Sequence, residues 1–149
     1  MNQTDLNAII VQGDARVLIT QAEVLGKQLA QQRLTTNQIR NIFGTVRRIE
    51  MNWPAERKTE ADCQRATRAQ RDLLLLKPKM AYQAKREGRD KGQGVEMLRQ
   101  VLDPAIDLVA EQRELDPAID LVAGQRERFQ HFVDFFEAIL AYHKSYGGN

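Results

Sequence analysis

The two histidines, the single cysteine and the carboxylates of this 149-residue chain are its candidates for chemistry, and their spacing gives them little to work with. A metal cage needs His, Cys, Asp or Glu gathered at tight spacing. His131 and His143 stand 12 residues apart, and neither has a second His or a Cys close by. Cys63 sits among Asp62, Gln64 and Arg65, with no partner for a disulfide or a metal site. Nucleophilic catalysis needs a base beside a Ser, Thr or Cys. His143 and Ser145 are two residues apart, and on a helix such residues point in different directions. Asp103/Asp107 and Asp116/Asp120 are i, i+4 acid pairs. Near a helix start such acids favour the dipole and need no catalytic explanation. The chain carries no glycine-rich phosphate loop. These patterns predict a protein with no catalytic residue, no metal and no cofactor, built to bind.

Binding chemistry has more support. The net charge of +2 is unevenly spread: residues 65–91 carry nine Lys/Arg against three acids, and residues 102–149 carry four against nine. Such asymmetry fits a basic patch facing an anionic partner, or equally two solvated helix faces. Arg40, Gly44 and Arg47 fall on one line of a helical wheel, with Arg48 beside them. Guanidiniums on one helix edge with a glycine between them let a phosphate backbone approach closely. Further along, Lys77, Lys79, Lys85 and Arg86 gather around Pro78 and Tyr82. No pattern for reading base edges accompanies them, so contact would be to the backbone and tolerant of sequence.

The elements that must position these residues are helices. Strand signals are nearly absent, and apolar residues recur at helical spacing. The chain length suits one domain, 1–149, with a core that needs no disulfide. A short helical turn near 5–11 would end around Gly13, and a first long helix would span about 15–32. Thr35 or Thr36 can cap the next, whose stripe is Ile39, Ile42, Phe43, Val46 and Ile49, and which stops near Trp53-Pro54. A basic helix runs from about Thr59 towards Lys77, with Ala66, Ala69, Leu73, Leu76 and Met80 on one face. Pro78 predicts a kink or a fresh start before a piece ending near Arg86. Gly88, Gly92 and Gly94 read as a mobile loop, and a helix resumes over 95–102.

Residues 102–127 are a tandem duplication, LDPAIDLVAEQRE followed by LDPAIDLVAGQRE. Thirteen residues at ~100° each put the copies about 140° out of phase, so one straight helix cannot bury both Ile-Leu-Val faces. Each Asp-Pro pair can instead begin a helix, with Asp as cap. The last helix, from about Pro117 or Gln125 to Ser145, presents Phe129, Phe132, Val133, Phe136, Ile139, Leu140 and His143 on one face, as core or as a self-association seam. Gly147-Gly148 ends it. The expected fold is all-α, a compact bundle of about five to six helices. No apolar run approaches the ~20 residues needed to cross a bilayer. The start lacks a leader pattern, so an unanchored cytoplasmic protein is expected.

Three segments in series resemble one family. They are Thr36-Asn37-Gln38-Ile39-Arg40-Asn41-Ile42-Phe43, then Leu75-Leu76-Lys77-Pro78-Lys79-Met80-Ala81-Tyr82, then Phe135-Phe136-Glu137-Ala138-Ile139-Leu140-Ala141-Tyr142-His143-Lys144 with Gly147-Gly148. Together they resemble the small helical subunit of type III-A CRISPR–Cas (Csm) effector complexes, over most of residues 34–149. The tandem 13-mer departs from that pattern.

The resemblance implies a helical bundle stacked in two or more copies along a ribonucleoprotein filament that acts in antiviral defence. It would hold CRISPR RNA paired to target RNA by the backbone, and bridge the large subunit to the backbone subunits. It contributes no catalytic residue. By position, Arg40, Lys77 and Lys79 are carried over as RNA-backbone contacts; Arg47, Arg48, Lys85 and Arg86 join them from charge geometry. Glu137 is expected to pair with a buried arginine or cap a packing contact, and Tyr82 and Tyr142 to serve core or subunit interface. The competing expectation is a protein-only helical adaptor whose basic face meets an acidic partner.

Overall fold

The computed structural model describes residues 1–88, 92–111 and 121–148, with the backbone alone for 121–123. These residues form six helices and no strand: α1 (Gln3–Ile10), α2 (Ala15–Gln31), α3 (Thr36–Asn52), α4 (Glu60–Arg86), α5 (Gln93–Ala110) and α6 (Leu121–Ser145). The architecture is the all-α bundle expected.

Local chemistry sets most of the boundaries. Asp14 caps α2, its carboxylate accepting from the backbone N–H groups of Arg16 and Val17. Of the two threonines, Thr35 is the cap of α3, in a reciprocal capping box with Gln38. Thr59 and Asp62 make the same box at the start of α4. α3 ends where Trp53 turns extended (φ −96°, ψ 104°) ahead of Pro54. Gly147, at φ +86°, turns the chain back after α6, so that Gly148 N–H bonds to the His143 carbonyl.

α6 lies at the centre, packed most extensively on α2 and also on α1, α3 and α5. Phe129, Phe132, Phe135 and Phe136 are all fully buried. The rings continue outward through Trp53 stacked on Phe129 at 4.7 Å and Phe43 against Phe136 at 5.1 Å. The aromatic face is therefore core. Both histidines of α6 tie it to other turns. His131 Nδ1 lies 2.8 Å from the Ile10 carbonyl, and His143 Nε2 lies 2.5 Å from the Leu34 carbonyl. His143 is 1% exposed, and Gly148 lies directly on its ring.

The fresh helix starts expected at the two prolines are corrected. Pro78 does not start a new helix: α4 continues through it. Asp103-Pro104 does not start one either, because α5 continues through Pro104. An interior proline costs about 3 kcal/mol through its lost hydrogen bond and ring clash. In both helices an uninterrupted apolar stripe outweighs that cost. Leu73, Leu76 and Met80 are buried on either side of Pro78; Leu98, Leu102, Ala105, Ile106 and Val109 are buried on either side of Pro104. The carbonyls deprived of a partner belong to Leu74 and Gln100, both exposed residues that water can serve. Asp103, not needed as a cap, accepts from Arg99 at 2.9 Å.

The glycine run is corrected in part. Gly88 has φ +83° beyond the end of α4, but Gly94 is buried within α5 against Leu34, where an added Cβ would sit 2.7 Å from Leu34 Cβ. The second Asp-Pro pair, at 116–117, lies outside the described residues.

Candidate nucleic-acid interface

The predicted contact residues divide by helix and by occupancy. α3, started by the capping box at Thr35, buries the stripe Ile39, Ile42, Phe43, Val46 and Ile49. Arg40, Gly44, Arg47 and Arg48 are consequently exposed, and Met51, 78% exposed, extends the same ridge. Arg40 makes no side-chain hydrogen bond or ion pair among the described residues. Arg47 is engaged: it donates to Glu50 at 2.8 Å, meets Glu137 of α6 at 3.6 Å and lies over the Phe43 ring at 5.1 Å. The hydrogen bond to Glu50, offset in part by desolvation and helped by the charge of Glu137, holds its guanidinium above the ordinary pKa. Arg48 donates to Thr45 Oγ1 at 3.2 Å.

Gly44 is the distinctive member of the ridge. A glycine inside a helix costs roughly 1 kcal/mol relative to alanine. At Gly26 and Gly94 the fold uses the missing side chain, since an added Cβ would lie 2.6 Å from Tyr142 Cβ and 2.7 Å from Leu34 Cβ. At Gly44 an added Cβ would meet nothing within 4 Å. The fold itself has no use for this glycine.

On α4 the lysines separate. Lys79 and Lys85 are exposed, with no ion pair among the described residues. Lys77 turns the other way, to Asp107 of α5, with Nζ 2.6 Å from Oδ1. The four cations therefore do not form one cluster beside Tyr82. Arg86 alone approaches that ring, at 5.9 Å, and also meets Glu87 at 3.8 Å. Lys77 follows Leu73 by four residues and precedes Met80 by three, both core positions, and that spacing already places its stem on the packed side of α4. Tyr82 is 67% exposed and so is not a core residue of this chain; Tyr142 is half-buried against the core. Glu137 does pair with an arginine, but with exposed Arg47 rather than a buried one.

One surface was missed. Arg68, Arg71, Leu75, Lys79, Tyr82 and Arg86 recur at spacings of three and four and are all exposed, as one outward stripe along α4. The signal lay in the sequence as a second helical stripe opposite Ala66, Ala69, Leu73, Leu76 and Met80.

One ring nitrogen of each histidine faces a backbone carbonyl, that of Ile10 for His131 and that of Leu34 for His143. Among the described residues no group of three or more His, Cys, Asp or Glu could hold a metal ion. None of the described helices is long and apolar enough to cross a membrane. Residues 12–149 match the family described as Csm2 Type III-A. The chain belongs to that family. It is thus a small subunit of the type III-A CRISPR–Cas Csm complex, from a family of structural subunits. No curated protein and no solved structure matches the chain. The Csm2 match begins after α1, yet α1 supplies Leu6, Ile9 and Ile10 to the core and the carbonyl that His131 reaches.

Proposed function

We propose that the chain is a non-catalytic RNA-binding subunit of the Csm complex, holding the backbone of the CRISPR RNA–target RNA pair and bridging neighbouring subunits. The observation that carries this reading is the α3 ridge, where Gly44 is open to solvent between Arg40 and Arg47. A bare stretch of helix flanked by guanidiniums suits close approach of a phosphodiester backbone. Lys79 and Lys85 are the further cations available for the same ligand. The sequence carries no pattern for reading base edges, so recognition would follow backbone charge and shape.

Salt dependence tests the reading. Each phosphate contact adds about 0.7–0.9 to the slope of log K against log salt concentration. Arg40→Ala with Lys79→Ala should flatten the slope for RNA binding by about 1.4–1.8 and weaken capture, with the helical signal unchanged. An unchanged slope in a folded double variant would sink it.

The adaptor reading draws on a different observation, the α4 stripe. Leu75 and Tyr82, 43% and 67% exposed, stand among four cations there, a composition suited to a protein surface with acidic groups. Within the Csm complex this stripe is the candidate for contact with a neighbouring subunit. A chain acting only as adaptor would bind its protein partner and show negligible affinity for RNA at physiological salt.

A further inference from the structure

The α4 stripe changes character along its length. Beside Arg68 and Arg71 the exposed apolar residues are Leu74 and Leu75. Beyond Pro78 the large exposed side chain is Tyr82, at 67% the most exposed aromatic among the described residues. Its hydroxyl makes no hydrogen bond there, and the core takes no part of its ring. Lys79 stands three residues before it and Lys85 three after, both exposed and without an ion pair among the described residues. Side chains three and four apart share a helix face, so the two ammoniums flank the ring. Arg86, one turn on, holds its guanidinium 5.9 Å from the ring centroid, while Glu87 lies 3.8 Å from that guanidinium.

We propose that Tyr82 is a stacking platform for one unpaired base of the RNA, with Lys79 and Lys85 on the phosphates to either side. This rests on the RNA-binding reading above, and adds to it a contact with the face of a base. An open aromatic ring between unpaired cations has the two parts that single strands use: charge for the backbone and a flat surface for a base. Every base has such a face, so the contact needs no base-edge pattern and tolerates any sequence. A base inside a duplex is already stacked on its neighbours, so the ring selects a nucleotide that is not paired. Lys79 and Lys85 are six residues apart, about 9 Å along the helix axis. Their flexible four-carbon stems can close that separation onto phosphates flanking a single nucleotide. An acidic protein surface would engage the same cations, and the base is what separates the two partners.

The test uses the full chain and two labelled strands of equal length and charge, an oligouridylate and its abasic counterpart, read by fluorescence anisotropy over a salt series. Tyr82→Ala should bind the oligouridylate about 5–20-fold more weakly, the lower part of the range for one stacked base. It should bind the abasic strand as the wild type does. Its salt slope should be unchanged, because the ring carries no charge, whereas Lys79→Ala should flatten the slope by about 0.7. Tyr82→Phe should keep wild-type affinity and Tyr82→Leu should lose it, since the flat ring and not apolar bulk makes the contact. Equal losses on both strands would mean that the residue acts on the backbone, and would overturn the stacking proposal. Tyr82→Ala binding the oligouridylate like the wild type, while Lys79→Ala weakens it, would overturn the proposal and leave the RNA reading standing. The same result with poorer recovery of other Csm subunits would give the ring to a protein contact instead. If Arg40→Ala, Lys79→Ala and Tyr82→Ala all leave both strands unmoved, the RNA reading itself fails and the proposal fails with it. Thermal midpoints of the variants, expected to match the wild type, separate these outcomes from unfolding.

Discussion

Gly26 and Gly44 are both interior helix glycines, and their surroundings are opposite. Gly26 belongs to the seam between α2 and α6, where an added Cβ would come within 2.8 Å of the His143 backbone nitrogen as well as 2.6 Å of Tyr142 Cβ. Gly44 lies on the outer edge of α3 with open space above it. The seam spends its sequence on the chain's own packing; the ridge keeps features that its own packing does not need. That contrast separates the part of the molecule that makes the bundle from the part available to a partner. It can be broken by substitutions that move stability and binding independently.

The largest effect is expected at the seam's aromatic centre. Phe136 is fully buried and touches both Phe43 and Phe132. Phe136→Ala should cost about 3–5 kcal/mol of stability, measured by denaturant unfolding. RNA affinity per folded molecule should stay unchanged, because the ring has no exposed surface to offer. A selective loss of binding with stability retained would erase the distinction between seam and ridge.

The two glycines give the sharper comparison. Gly26→Ala forces a methyl against α6 backbone that cannot rotate away, and should destabilise by roughly 1–3 kcal/mol. Gly44→Ala should do the reverse, stabilising α3 by up to about 1 kcal/mol, while weakening RNA binding by obstructing close approach. Opposite signs in stability, with binding lost only at the stabilised site, would be hard to explain by any fold-only role for Gly44. A Gly44→Ala protein that is more stable and binds as well as the wild type would remove the ridge's main claim.

How far the sequence could be read follows the same division. Elements fixed by local chemistry were legible: the threonine cap of α3, the stop at Trp53-Pro54, the Gly147 turn and the aromatic face of α6 all depend on residues within a few positions of one another. Features decided between helices were not. Pro78 read as a kink or a fresh start, and Asp103-Pro104 as a helix start, because local propensity says so, and only the buried stripes on either side of each show why the helices continue. Lys77 read as a free cation because its charge is visible in sequence and Asp107, thirty residues on, is not. Glu137 was expected beside an arginine, but the fold chose an exposed one. The α4 stripe was readable from spacing alone, and was passed over because its residues were grouped around the proline rather than around the helix.

The smallest effect concerns the ion pairs made within one helix. Arg99 on α5 donates to Glu96 at 2.5 Å and to Asp103 at 2.9 Å. The hydrogen bond from Arg99 dominates at Glu96, and its charge adds to it; together they outweigh desolvation and hold the carboxyl below its ordinary value of 4.5. A carboxyl with a lowered folded-state pKa contributes stability above the unfolded value and loses it as pH falls through the folded one. At neutral pH, Glu96→Gln should therefore be less stable than the wild type by only about 0.3–0.5 kcal/mol, the range for a partly exposed helix pair. That difference should shrink once pH drops below 4.5 and vanish when Glu96 is protonated in both states. RNA binding should be indifferent to Glu96→Gln at every pH where the chain is folded, since Arg99 would keep Asp103 as partner.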